Sequence, residues 1–421
     1  MDTTLNNTKI KYPPLLCDII LHENDLTEQA KNQFSFHDKI WRGFESYRQS
    51  ILRSQYLTPI GRHLALCEIN KLHTDCKHVL NYAADNIQLL HDNFPSIGPL
   101  IICGLPRTGS TLLFNLLACD PNCRAPLYTD MCVDIVPPIS RSDSIEQKRR
   151  INAVEMSIKQ KEYLIGSQSH IAASHPNFTF EEDYNILLQA SFLPFFTSIV
   201  CDDEINSDKW LPIELNKDYI YDYHEVFLRL LNSADKPKSH WLLKTPMHSL
   251  HLDRLVQHYP NTLLIMTHRY LDEVIPSLCA LAQANVQSTF DKTNFTGRNQ
   301  LTKRCCQFID KMIEHILEFR TRPNNLFNQS RKYIFDITYD NLMNDPIAIV
   351  RRIYSYFNLQ WSSEFETAMR VWLFENPQGR QGRHTYSLSQ FGLHLKDIDT
   401  RYADYINLFL SPTSFSTNNL T

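Results

Sequence analysis

Residues 100–117 read LIICGLPRTGSTLLFNLL and carry the clearest structural signal in the chain. The opening LIIC is a continuous apolar run, typical of a strand buried on both faces of a parallel sheet. Gly104 and Gly109 bracket a turn, and a helix-forming segment follows from Ser110. Strand, glycine-rich turn and helix in this order predict a loop whose backbone N–H groups and helix N-terminus bind a phosphate or sulfate. The alternative is a tight turn without a ligand.

The glycine spacing equals that of a Walker A loop, GxxxxGK[ST], but Ser110 stands where that motif has lysine. In a nucleoside triphosphatase this lysine contacts the β- and γ-phosphates, and the next hydroxyl binds Mg²⁺. Here the positive charge lies inside the loop, at Arg107. A guanidinium beside the hydroxyls of Ser110 and Thr111 suits a phosphosulfate held without a metal ion.

At this loop the sequence resembles the sulfotransferases that use 3′-phosphoadenosine 5′-phosphosulfate (PAPS), particularly the broad group with loops such as LPRTGTTLLH. The resemblance covers roughly residues 40 to 395. It implies transfer of a sulfuryl group from PAPS to a hydroxyl or amine, with no metal. The residues that it assigns to the 5′-phosphosulfate are Arg107, Thr108, Gly109, Ser110 and Thr111.

A second block resembles the 3′-phosphate motif of the same family. Arg269 follows the apolar run LLIMTH, and Ser277 lies eight residues further on, in a predicted helix. An arginine at the carboxyl edge of a strand and a serine two turns into the next helix can converge on one phosphate. We therefore expect Arg269 and Ser277 to bind the 3′-phosphate.

The segment WLLKTPMH (241–248) is similar to the family's strand end that faces the sulfuryl group. The resemblance implies that Lys244 stabilises the charge that develops on the departing phosphate. His248 is a candidate for the base that deprotonates the acceptor, the alternative being a capping or core histidine.

Two further acidic sites are candidates for this base. Asp130 falls where many family members carry a glutamate after the loop helix, often as Trp-Glu, whereas this chain has Thr129-Asp130. Glu181 and Glu182 resemble an acidic pair of the family and are kept as substrate-side candidates. The helix dipole alone also favours acidic residues at a helix start.

The segment NPQGRQGRHTYSLSQFG (376–392) resembles the glycine-rich C-terminal segment that folds over the nucleotide in this family. It implies that Arg380, Arg383 and His384 contact the 3′-phosphate. Two glycines and two arginines within five residues also make a plausible anion clamp, and the alternative is a solvated loop.

The order of elements predicts an α/β fold, a three-layer P-loop-like arrangement in which helices flank a central parallel sheet. Helical patterns alternate with apolar runs at 241–243, 263–266 and 332–337. We expect an N-terminal helical region (1–95) that packs on the core, a sulfotransferase-like domain (96–411) and a flexible tail (412–421).

The composition of the chain limits which partners and which cellular compartment we expect. With 421 residues, 42 basic and 46 acidic, the net charge of −4 argues against a general nucleic-acid or membrane-surface binder. Eleven cysteines without CxxC spacing, no secretory signal pattern and no apolar run long enough to span a membrane favour a reduced, cytoplasmic protein. The expected acceptor is a small molecule, a lipid or a carbohydrate, and the oligomeric state is not specified.

Two other functions fit the same signals. A P-loop kinase or nucleotidase would bind ATP with Mg²⁺, although the lysine that it needs is missing. A non-catalytic descendant of the sulfotransferase fold would bind the nucleotide without transferring sulfate, and the altered Thr129-Asp130 position keeps this alternative open.

Overall fold

A five-stranded sheet lies at the centre of the computed structural model. The model describes residues 20–91, 93–166, 179–200, 217–290, 297–322, 333–377 and 386–411. The strands are β1 Leu100–Gly104, β2 Cys123–Arg124, β3 His240–Lys244, β4 Leu263–His268 and β5 Ile334–Thr338. They lie in the order β2-β3-β1-β4-β5, and every neighbouring pair is parallel. The predicted α/β class with a central parallel sheet is therefore confirmed.

Helices connect the strands and cover the sheet. Before β1 come α1 Glu28–Gln33, α2 His37–Arg53 and α3 Pro59–Asp85. Between β1 and β3 lie α4 Ser110–Leu117, α5 Tyr128–Cys132, α6 Ser144–Ile165, α7 Tyr184–Gln189, α8 Pro194–Val200 and α9 Ile220–Ala234. Next come α10 Leu252–His258, α11 Leu271–Val286 and α12 Gly297–Thr321, and after β5 come α13 Tyr339–Asn344, α14 Pro346–Tyr356, α15 Ser363–Glu375, α16 Leu395–Arg401 and α17 Ala403–Phe409.

Alternate residues of β1 enter two different hydrophobic clusters. Ile101 and Cys103 pack in the cluster that contains the N-terminal helices, whereas Leu100 and Ile102 pack in the one that contains α4, α14 and α15. All five residues of β1 are buried. A strand covered by helices on both faces needs a continuous apolar sequence, which explains the LIIC run.

The strand order places a topological switch at β1. The chain leaves β1 through α4, forms β2 at one edge of the sheet, returns as β3 between β2 and β1, and then crosses to β4 on the other side of β1. In such sheets, ligands bind at the carboxyl ends of the strands where the order reverses. The glycine-rich loop follows Gly104 at the end of β1. Lys244 is the last residue of β3, and Arg269 directly follows β4.

The sequence over 181–192 has a helical pattern and predicts one continuous helix, and the structure differs from this prediction. Helix α7 spans only Tyr184–Gln189, since Asp183 precedes it and Ser191 adopts a positive φ of 59° that ends the helical path. Pro194 then begins α8, where proline is compatible with a first helical turn. Two short helices therefore replace one, and the chain at 181–183 is an irregular segment beside the end of β3.

Candidate active site

The β1–α4 loop adopts the strained backbone that its glycines predict. Gly104 and Gly109 have φ angles of 116° and 84°, and Arg107 between them also has a positive φ of 67°. A Cβ on Gly104 would lie 2.5 Å from the carbonyl oxygen of Thr267 on β4, so only glycine fits there. The hydroxyl of Thr108 bonds Leu105 O at 2.7 Å and Thr267 Oγ1 at 2.6 Å. The loop is thus fixed to the end of the neighbouring strand.

The two predicted phosphate-binding blocks meet at this loop. Arg107 Nε donates a hydrogen bond to Ser277 Oγ at 3.0 Å, and Arg269 Nη1 donates to the carbonyl oxygen of Arg107 at 3.1 Å. The guanidinium of Arg269 also bonds Glu273 and lies over the ring of Tyr339, with 3.9 Å between Cζ and the ring centroid. The structure therefore brings together two cations and a hydroxyl at the carboxyl ends of β1 and β4.

Two positive charges, those of Arg107 and Arg269, lie close together in this partly buried site. Burial lowers the pKa of Arg107, and the neighbouring charge of Arg269 acts in the same direction. Two guanidinium groups held this close repel each other, and a bound polyanion would relieve that repulsion. An arginine in the left-handed region of backbone space is also strained. Both features are typical of a site shaped for an anionic ligand.

Lys244 reaches the same loop from the end of β3. Its Nζ donates to Thr111 Oγ1 at 3.1 Å and forms an ion pair with Glu182. The side chain of Lys244 is only 3% exposed, and that of Glu182 is 15% exposed. Lysine, threonine hydroxyl and carboxylate therefore meet at the start of α4, where Ser110 is also buried.

Glu181 precedes Glu182 in the chain, and its surroundings shift its pKa. Burial raises the pKa of Glu181 to about 7, and the negative charge of Glu182 adds to the shift. The backbone N–H of Glu182 donates to Glu181 Oε1 at 2.9 Å. Of the two predicted carboxylates, Glu182 is the one that contacts Lys244.

His248 is held in the interior beneath Lys244. Its Nε2 lies 2.8 Å from Asp183 Oδ2, its Nδ1 lies 3.0 Å from Tyr221 OH, and the residue has no exposed surface. Both ring nitrogens are therefore engaged with protein groups, which leaves no nitrogen facing an acceptor. The arrangement favours the core-histidine alternative over the base.

Asp183 was not predicted as a site residue. Its carboxylate accepts hydrogen bonds from the backbone N–H of Lys244 at 2.8 Å, from His248, and from His224 Nε2 at 3.1 Å. Burial by itself raises the pKa of Asp183, but the two histidines outweigh it and hold the pKa well below its usual range. The acidic run Glu181-Glu182-Asp183 was the available signal, yet it does not show which carboxylate turns inward.

Asp130 occupies a different environment from the other candidates. Its Oδ2 accepts the backbone N–H of Leu127 at 3.1 Å, which closes the first turn of α5, and it lies 3.9 Å from Arg124 Nη2. The side chain is 1% exposed, and burial raises its pKa. The structure thus gives Asp130 a capping contact, and it does not bring this carboxylate to Lys244.

The C-terminal anion clamp lies outside the described residues. Arg380, Arg383 and His384 are in this segment, so their predicted contact with a 3′-phosphate stays a prediction. Tyr386, the first described residue after this segment, lies near Arg107 and acts to raise its pKa.

Two kinds of structural feature are absent from the described residues. Within the ranges given above, no cluster of three or more histidine, cysteine or acidic side chains is arranged to hold a metal ion. Among the helices of those same ranges, none has the length and apolar character to cross a membrane.

A parallel sheet with a glycine-rich loop at its switch point, flanked by arginine, serine and lysine side chains, is an arrangement typical of α/β proteins that bind phosphorylated ligands. The comparisons narrow this class. A family model described as "Sulfotransferase family" matches residues 99–363. The chain belongs to the sulfotransferase family.

Solved structures share the fold. Sulfotransferase STF9 from Mycobacterium avium is 23% identical, with a TM-score of 0.76, over 94% of this chain and 98% of that one. Sulfotransferase STF1 from Mycobacterium tuberculosis H37Rv is 21% identical, with a TM-score of 0.70, over 91% of this chain and 98% of that one. At these identities the similarity shows the fold. Among curated proteins, none matches the chain.

Proposed function

We propose that this chain transfers a sulfuryl group from PAPS to a hydroxyl or amine of a small-molecule, lipid or carbohydrate acceptor. The observation that supports this best is the convergence of Arg107, Ser277 and Arg269 on one side of the β1–α4 loop, with Lys244 on the other. A donor with phosphate at both ends of a nucleoside needs two anion sites, and the arginines that follow the adjacent strands β1 and β4 are our candidates for them.

The donor site is built from the chain's own polar groups. The backbone of Arg107, Thr108 and Gly109, with the start of α4 at Ser110 and Thr111, would hold the 5′-phosphosulfate. Arg269 and Ser277 would hold the 3′-phosphate, joined by Arg380, Arg383 and His384. The charge that Mg²⁺ supplies in kinases would come from arginine and lysine instead, because Ser110 replaces the Walker lysine.

The reaction proceeds by in-line displacement at sulfur. The acceptor oxygen or nitrogen forms the new bond to sulfur as the bond from sulfur to the bridging oxygen breaks, and 3′-phosphoadenosine 5′-phosphate (PAP) leaves with the electron pair. Lys244 stabilises the negative charge on the departing phosphate. The acceptor proton passes to a carboxylate. Glu182 is our assignment for this base, because it contacts Lys244 and retains some exposure.

Two of the other base candidates are less well placed. His248 has both nitrogens engaged in the interior, and Asp130 caps α5. We also propose a cytoplasmic setting, supported by the cysteine usage of the sequence.

The experiment that tests the function is sulfuryl transfer from ³⁵S-labelled PAPS to mixed hydroxyl and amine acceptors in the presence of EDTA. Labelled product with the wild-type chain, and its loss in Arg107→Ala and Arg269→Ala, is the expected result. A useful control is Arg370→Ala, since Arg370 lies exposed on α15 and pairs with Glu366. Labelled product at wild-type rates in both arginine variants would refute the proposed site. Binding of PAP without any transfer by the wild-type chain would favour a non-catalytic descendant.

A further inference from the structure

A buried polar network lies directly beneath Lys244 and Glu182. At its centre, Asp183 accepts three hydrogen bonds, from the backbone N–H of Lys244 and from His224 and His248. Asp183 and both histidines have no exposed surface. The network therefore joins the end of β3 to the irregular segment that carries Glu182.

Each histidine of the network has a tyrosine on its far side. Tyr221 OH lies 3.0 Å from His248 Nδ1, and Tyr259 OH lies 2.7 Å from His224 Nδ1. Because the ionised carboxylate of Asp183 only accepts, each imidazole donates from Nε2, and its Nδ1 pairs with a tyrosine hydroxyl. One set of donors and acceptors thus satisfies every ring nitrogen.

A second series of hydrogen-bonded aspartate, histidine and tyrosine side chains includes residues of β4 and β5. It differs from the first in the partner of its aspartate. Asp336 on β5 bonds His268 Nε2 at 3.0 Å, and His268 Nδ1 lies 2.8 Å from Tyr405 OH. Asp336 also pairs with Arg320 at 2.7 and 3.0 Å. Within the described residues, Asp183 has no arginine or lysine side chain as its partner.

A buried carboxylate that pairs with histidines rather than with arginine or lysine is costly to desolvate, and apolar side chains of similar volume often replace such buried polar groups without loss of stability. Stability alone therefore gives no reason for Asp183. What this carboxylate does fix is the position of two reacting groups, since it holds the backbone of Lys244 and directly follows Glu182 in the chain.

We infer that Asp183, supported by His248 and His224, is a positioning residue that sets the separation of Lys244 and Glu182 for sulfuryl transfer. This inference rests on the proposed function. It gives His248 an indirect part in the reaction. It also predicts that changes to the network reduce the rate of transfer and leave the donor site intact, because Arg107, Arg269 and Ser277 lie outside the network.

The test uses the full chain with Asp183→Asn. An asparagine cannot accept from all three N–H donors, because its NH₂ group faces at least one of them. Misplacement of a reacting group by about 1 Å lowers rates by about 100-fold, so we expect kcat to fall by about 10- to 100-fold. The Kd for PAP in EDTA should stay within about threefold, a difference of less than 0.7 kcal/mol.

Tyr221→Phe is a second variant in case Asp183→Asn does not fold. It removes one hydroxyl from the network, and we expect kcat to fall by about three- to tenfold with PAP binding retained. Tyr354→Phe is its matched control, because Tyr354 OH donates to buried Asp120 at 2.7 Å on the other side of the sheet. Both tyrosine variants should lose similar stability, about 1 kcal/mol, and only Tyr221→Phe should lose rate.

A readout independent of turnover is the proton NMR signal of imidazole N–H groups. In the wild-type chain, His224 and His248 should give two solvent-protected N–H signals, and Asp183→Asn should lose or shift both. Wild-type kcat in a folded Asp183→Asn, or in Tyr221→Phe if the first variant does not fold, would overturn the inference. Absence of turnover in the wild-type chain would instead refute the proposed function.

Discussion

Arg107 Nε donates a hydrogen bond to Ser277 Oγ at 3.0 Å, across 170 positions of the chain. The contact joins the loop after β1 to the second turn of α11, and these are the two segments that the family resemblance assigns to opposite ends of one donor molecule. The two halves of the proposed donor site are therefore in direct contact.

Arg107→Ala should lower the affinity for PAP by about 10- to 100-fold, since a hydrogen bond to a charged group contributes about 1.5–3 kcal/mol. Ser277→Ala should have a smaller effect of about three- to tenfold. Calorimetric titration in EDTA measures both. Arg370→Ala is the surface control and should bind as the wild type does, and unchanged affinity in Arg107→Ala would remove the loop from the donor site.

Glu182→Gln should reduce kcat by about 10²- to 10⁴-fold, because the amide cannot take the acceptor proton. PAP binding should be nearly unchanged. Glu181→Gln is the neighbouring control, with kcat within about threefold of wild type if the proton goes to Glu182. The reverse result, a large loss in Glu181→Gln alone, would assign the base to Glu181.

Gly109 combines a left-handed backbone with close packing. Its φ is 84°, and a Cβ would lie 3.0 Å from the ring of Tyr339. Gly109→Ala should therefore destabilise the chain by about 1–2 kcal/mol and also weaken PAP binding. Thermal unfolding and titration measure the two effects. Unchanged stability and PAP affinity in Gly109→Ala would contradict a tightly packed loop.

The buried His37 and His73 predict acid sensitivity of the N-terminal helices. Their Nε2 atoms lie 3.3 Å apart, so one must be neutral to accept from the other. Burial lowers the pKa of His37 to about 4 and that of His73 to about 3, from 6.5. The unfolded chain therefore binds more protons between pH 6.5 and 4, and stability should fall as the pH falls through this range.

The size of this effect should be on the order of 2 kcal/mol per histidine. His73→Gln keeps a hydrogen-bonding group but does not titrate, so denaturant unfolding should depend less steeply on pH. His78 on the exposed side of α3 is the control, and His78→Gln should keep the wild-type slope. An identical slope in all three proteins would place the acid-sensitive groups elsewhere.

Much of the fold is predictable from short patterns. The LIIC run, the glycine spacing and the alternation of apolar runs with helical segments together predict the parallel sheet and the position of the loop. The family model and the shared fold bear this out. The sequence also predicts Arg107 inside the loop, Lys244 and Arg269 at strand ends and Ser277 two turns into a helix. The structure brings these four residues to one edge of the sheet.

The parts that were not predictable depend on which way a polar side chain turns. His248 reads as a strand-end histidine near reacting groups, yet Asp183 and Tyr221, from distant segments, enclose it. Asp183 itself looks like one of three adjacent acidic residues. Inward or outward orientation there is decided by long-range hydrogen bonds, which residue spacing does not report.

The measurement that tests the central claim most directly is the thermal stability of the wild-type chain with PAP and EDTA, beside ATP with Mg²⁺. A ligand that binds only the folded state adds about 2.7 kcal/mol at 100 times its Kd. We predict that PAP raises Tm without metal and that ATP with Mg²⁺ does not. Stabilisation by ATP with Mg²⁺ alone would support a kinase or nucleotidase, and no stabilisation by either would contradict a donor site at the β1–α4 loop.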